Sequence, residues 1–124
     1  MDIIWVFIGA GLGGAIRYLL SNLSFQILGR HFPWGTLIVN ASGSFIMGVL
    51  FVVFMNRYVA YAPQLRLLLL VGFLGGYTTF SSFSIETWGL FESGAWFAGL
   101  MNMFLHVVLC FGLTWLGMIW GRQL

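Results

Sequence analysis

The residues best suited to chemistry lie between Gly72 and Ser84, in the run GFLGGYTTFSSFS. Four leucines precede it, yet the run holds three glycines, two threonines, three serines and a tyrosine. In lipid, irregular backbone survives only where protein or water satisfies its polar groups. Gly72, Gly75 and Gly76 followed by Thr78 and Thr79 therefore predict a third helix broken near mid-membrane. A break frees carbonyls on one half-helix, which suit a small cation, and N–H groups on the other, which suit an anion. The alternative is a packing notch whose hydroxyls bond back to their own helix. Five hydroxyls clustered with the glycines favour the break.

A three-residue rhythm follows, Thr79-Phe80-Ser81 and then Ser82-Phe83-Ser84. Phe80 and Phe83 fall on one helix face a turn apart, with Ser81 and Ser84 flanking them. The edge of a phenyl ring carries partial positive charge. Ring edges and hydroxyl hydrogens together replace part of an anion's water shell without a fixed charge. Such binding is weak enough to release the ion, as conduction requires. Elsewhere, Asn40 and Ser44 stand four apart, as do Asn102, His106, Cys110 and Thr114. Asn40 is either glue between helices or an amide donor to a passing anion. His106 has no second ligand at metal-site spacing and reads as a hydrogen-bonded packing residue. Cys110 reads as a small buried side chain. Arg17 suits an interfacial or paired position, and Glu86 a vestibule or an interface.

The elements that position these residues must lie in lipid. The chain has 124 residues, 60% hydrophobic and 6% charged, against ~25% charged in a soluble domain. Five basic residues, all arginine, are scattered along it, which argues against nucleic-acid binding. One cysteine excludes an internal disulfide. The start, Met1-Asp2, lacks the basic region of a cleaved signal peptide, so the first apolar segment is expected to stay. Charges and prolines divide the chain into spans at about 3–22, 34–56, 65–88 and 94–121, each near the ~20 residues that crossing hydrocarbon needs. The prediction is a single all-α domain, 1–124, of four transmembrane helices. Trp5, Trp34, Trp88, Trp96 and Trp120 lie near the span ends, as an aromatic belt would have them.

Four helices enclose little, so two or more copies are expected to assemble. Gly9 with Gly13, and Ser44 with Gly48, are candidate contacts between copies, although glycine is common in membrane helices in any case. Arg57, Arg66 and Arg122 fall on one side of the membrane, and Arg30 with Arg17 on the other. So weak a bias predicts insertion in both orientations and pairing as an inverted dimer. No nucleophile–base pair, carboxylate dyad or phosphate loop appears, so enzymatic activity is unsupported.

Three stretches in order, GGAIRY (Gly13 to Tyr18), GTLIVNASGSFIMG (Gly35 to Gly48) and GFLGGYTTFSSFS, resemble the Fluc/CrcB family of fluoride channels along nearly the whole chain. Tyr77 and Ser82 depart mildly, standing where many members carry leucine and threonine. The resemblance implies an inverted homodimer in a bacterial-type inner membrane, with two pores that pass fluoride passively outward and confer resistance to it. It implies that Phe80 and Phe83 turn their edges to fluoride and that Asn40 helps hold them. Thr79, Ser81 and Ser84 fall within the track. His106 joins it through the polar stripe of helix four, where many members carry hydroxyl or amide residues. The carbonyls of Gly75 and Thr78 would hold a structural Na+ at the dimer centre. One alternative is a small dual-topology multidrug or guanidinium exporter, which needs a glutamate within its first helix; the only acid near segment one is Asp2. Another is a non-transporting subunit of a larger complex.

Overall fold

The computed structural model describes residues 1–56 and 63–124, so Arg57 lies outside the described residues. Its helices are α1 (Asp2–Leu28), α2 (Trp34–Asn56), α3 (Pro63–Arg66), α4 (Gly75–Tyr77), α5 (Phe80–Glu92) and α6 (Trp96–Gln123), with a π-helical segment (Leu67–Leu74) joining α3 to α4. Four stretches of 27, 23, 30 and 28 residues are long and apolar enough to cross a membrane: Asp2–Leu28, Trp34–Asn56, Pro63–Glu92 and Trp96–Gln123. The all-helical, four-span architecture read from hydropathy is the one observed.

The first helix continues well past residue 22, because hydropathy marks lipid depth whereas helix ends are set by backbone. Ser24 returns its hydroxyl to the Leu20 carbonyl at 2.8 Å, so this polar stretch stays helical. α1 stops at Gly29, whose φ of 83° a side chain would strain. The third stretch likewise begins at Pro63 and ends at Glu92, and the fourth begins at Trp96 and ends at Gln123.

The four spans pair as α1 with the third span and α2 with α6. Both contacts bring backbone against backbone. A Cβ on Gly9 would overlap the Leu68 carbonyl oxygen, and one on Gly13 that of Phe73. A Cβ on Gly48 would overlap the Thr114 carbonyl oxygen. These glycines were candidate contacts between copies; instead they are buried inside one chain, where lipid offers no hydrophobic drive and close packing must do the work. Val39, Phe54, Leu70, Leu74 and Tyr77 form the buried core. Tyr77 stacks on Phe73 with ring centroids 5.7 Å apart, and its hydroxyl lies 2.8 Å from Ser42 Oγ. The ring thus finds a polar partner in the core where leucine would need none.

Candidate functional site

Between α4 and α5 two residues leave the helical region. Thr78 has φ −84° and ψ 156°, and Thr79 has φ −152° and ψ 115°. Asn40 of α2 holds this extended pair. Its Nδ2 donates to the Thr79 carbonyl at 3.0 Å, and its Oδ1 accepts from the Thr79 N–H at 2.8 Å. An amide carries two N–H donors, so one hydrogen of the Asn40 amide is left over. Thr79 then caps α5: its Oγ1 accepts from the Ser82 N–H at 3.2 Å, as a threonine N-cap does.

These bonds divert two donors. In an unbroken helix the N–H of Thr79 would bond the Gly75 carbonyl, and that of Ser82 the Thr78 carbonyl. Here the first goes to Asn40 and the second to Thr79 Oγ1. Gly75 is exposed, and a Cβ placed on it would meet nothing within 4 Å. The Thr78 hydroxyl donates to the Leu74 carbonyl at 2.8 Å. The carbonyls of Gly75 and Thr78 thus lack their usual helical donors.

Beside this segment lies a cleft of about 350 Å³, lined among others by Asn40, Thr79, Phe80, Phe83, His106 and Cys110. Among the described residues lining it there is no Asp, Glu, Lys or Arg. The rings of Phe80 and Phe83 meet edge to face, centroids 5.3 Å apart at 66°. Phe80 is 77% exposed, whereas Phe83 packs on the His106 ring at 4.1 Å. His106 is buried, with Nδ1 3.0 Å from the Asn102 carbonyl. The packing histidine expected from sequence is what the structure contains, but one that also lines the cleft.

Not every candidate reaches the cleft. Ser81 is exposed on α5, its Oγ 3.2 Å from Thr79 Oγ1. Ser84 bonds back to the Phe80 carbonyl at 3.0 Å. Neither lines the cleft of a single chain. Glu86 sits at a second cavity of about 190 Å³ with Arg30 and His31, and its Oε1 accepts from Thr36 Oγ1 at 2.9 Å. The Arg17 Nε is buried with no hydrogen-bond partner among the described residues. Sequence reasoning missed three contacts that shape the site: Thr36 to Glu86, Asn102 Nδ2 to Thr87 Oγ1 at 2.9 Å, and Gly43 against the Thr78 methyl. Each joins residues from separate elements, and no spacing along one helix signals it.

A family profile described as "CrcB-like protein, Camphor Resistance (CrcB)" matches residues 4–118. A Coxiella burnetii protein named fluoride-specific ion channel FluC is 51% identical over 124 residues, 100% of both chains. A Magnetococcus marinus protein of the same name is 50% identical over 122 residues, 98% of each. Another, from Methylococcus capsulatus, is 47% identical over 117 residues, which are 94% of this chain and 51% of that longer one. With four helices fit to span a bilayer and a profile match over almost all its length, this multi-pass membrane protein belongs to the CrcB family.

Proposed function

We propose that this chain is a passive, fluoride-selective channel that releases fluoride from the cytoplasm across the plasma membrane. The observation that carries the reading is the uncharged cleft, in which two phenylalanine rings meet edge to face beside amide and hydroxyl groups. Ring edges and the spare Asn40 N–H offer fluoride weak donors and no strong trap. His106 contributes by stacking on Phe83 and fixing the direction of its edge. The relatives named fluoride-specific ion channel support the same reading and favour it over a multidrug or guanidinium exporter. Transport needs no coupling. Fluoride enters cells as neutral HF and dissociates inside, and a negative interior drives the anion out with ~2.3 kcal/mol per 100 mV.

The working unit is an antiparallel homodimer with two pores, and the third span is broken near mid-membrane. The extended Thr78-Thr79 pair supports the break. The second copy is supported by Gly75, an exposed residue whose carbonyl has lost its helical donor, a polar group that lipid cannot satisfy. Ser81 and Ser84 would join the track only once a second copy closes the cleft. Gly75 and Thr78 of each copy would hold a Na+ through their carbonyls, and the cation would tie the two breaks together.

The test is fluoride-electrode measurement of efflux from liposomes that hold only this protein, with chloride as comparison. Rapid fluoride efflux without matching chloride efflux is expected. Liposomes that release no fluoride would refute the channel reading and leave the non-transporting subunit.

A further inference from the structure

His106 and Cys110 stand four residues apart on α6 and line the same cleft, so their side chains are neighbours on one helical face. Cys110 is a half-buried free thiol. His106 is 94% buried, being 6% exposed, and its Nε2 has no hydrogen-bond partner. The reason lies on the other nitrogen. Nδ1 faces the Asn102 carbonyl, which can only accept, so in the neutral ring Nδ1 carries the proton. Nε2 is left as a bare, buried lone pair on a residue that lines the cleft. An anion has no use for it, whereas a metal cation does. A carbonyl on the far nitrogen is also the arrangement that orients metal-binding histidines.

We infer that His106 Nε2 and Cys110 Sγ form a two-ligand site for a soft divalent cation of the zinc and cadmium class. Imidazole with thiolate is the donor pair such ions select. On binding, the Cys110 S–H bond breaks, its proton passes to water, and an S–metal bond forms. Water fills the remaining positions, since the described residues hold no cluster of three or more His, Cys, Asp and Glu side chains that could ligate a metal. The site lies in the cleft beside Phe83, so an occupied site obstructs transport. Only that consequence rests on the channel reading; the binding does not.

The test is titration of the purified, detergent-solubilised protein with Cd2+ alone, followed by the ultraviolet thiolate-to-cadmium charge-transfer band. Saturation at one Cd2+ per chain is expected. Cys110→Ser should abolish the band, and His106→Gln should weaken affinity at least ~10-fold, the loss seen even when only an outer-shell partner is removed. Cys110→His should restore binding by dialysis without the band, which separates a lost ligand from a collapsed fold. In liposomes, saturating Cd2+ should cut fluoride efflux of the wild type and leave the efflux that Cys110→Ser retains. Absence of a band in the wild type, or unchanged affinity in His106→Gln, would overturn the site. A full band with undiminished efflux would overturn the block. A full band in a protein that passes no fluoride at all would sink the channel reading and leave the metal site standing.

Discussion

Replacing Asn40 by alanine tests the break where it is weakest. Asn40 is 8% exposed, and its amide makes two hydrogen bonds to one residue, Thr79. Bonds between membrane helices average ~0.6 kcal/mol and reach ~1.7, so the pair contributes about 1–3 kcal/mol. The substitution frees the Thr79 N–H, whose acceptor in a continuous helix is the Gly75 carbonyl a turn earlier. Taking it joins α4 to α5 as one helix. Asn40→Ala should therefore shift the third span toward a continuous helix by ~1–3 kcal/mol, ~5–150-fold in population. Fluoride efflux per liposome should fall at least ~5-fold on the same scale, while the protein still purifies in the wild-type oligomeric state. Ser42→Ala is the control: it removes two bonds, to the Tyr77 hydroxyl and to the Val39 carbonyl, and touches neither Thr78 nor Thr79. Wild-type efflux from Asn40→Ala would refute the claim that this amide holds the conducting geometry.

Phe80→Ile and Phe83→Ile should each cut fluoride efflux sharply and leave the proposed dimer intact. Phe80 is the cleaner test because it is 77% exposed and removing its ring disturbs little packing; undiminished flux would remove the rings from the mechanism. Thr78→Ser should be tolerated, since it keeps the hydroxyl bond to the Leu74 carbonyl and deletes only the methyl that abuts Gly43. A strong loss of efflux there would move the role from the carbonyl to the side chain. Gly13→Ala should lower thermal stability by about 1–3 kcal/mol, as overpacking does, because its Cβ would overlap the Phe73 carbonyl oxygen. Gly112→Ala, which meets nothing within 4 Å, should be neutral in the same melting experiment.

Hydropathy made the four spans legible, because lipid rewards long uncharged runs wherever they occur. The glycines and threonines between Gly72 and Thr79 drew attention to the segment where Thr78 and Thr79 take extended dihedrals, because irregular backbone in lipid needs a reason. Two things escaped. The π-helical segment Leu67–Leu74 has a leucine-rich sequence that suits an α-helix equally well. The segment packs closely on α1, with Gly72 near Gly9, a contact between helices that no spacing along one helix signals. The second was Thr79 as a cap. The sequence TFSS holds a threonine three residues before the N–H it accepts, a spacing that marks helix starts. Read as part of a hydroxyl cluster, the threonine hid its local role. The partner of Asn40 was invisible for a plainer reason: the two residues lie 39 apart in sequence, one on α2 and the other in the extended pair before α5.

The same two extended residues govern both proposed sites. Thr78 and Thr79 diverge from the helix so that two carbonyls lose their donors, which is what a cation cage would require. They also set where α5 begins. Extended backbone advances about 3.3 Å per residue instead of the ~1.5 Å of a helix. Healing the break would draw Phe80 and Phe83 back by about 3.6 Å and turn them around the helix axis. The rings would then leave the cleft and the His106 ring against which Phe83 is packed. On the proposed reading, the cation side and the anion side cannot vary independently. A substitution that weakens Na+ retention should also misplace the rings, even though it touches neither of them.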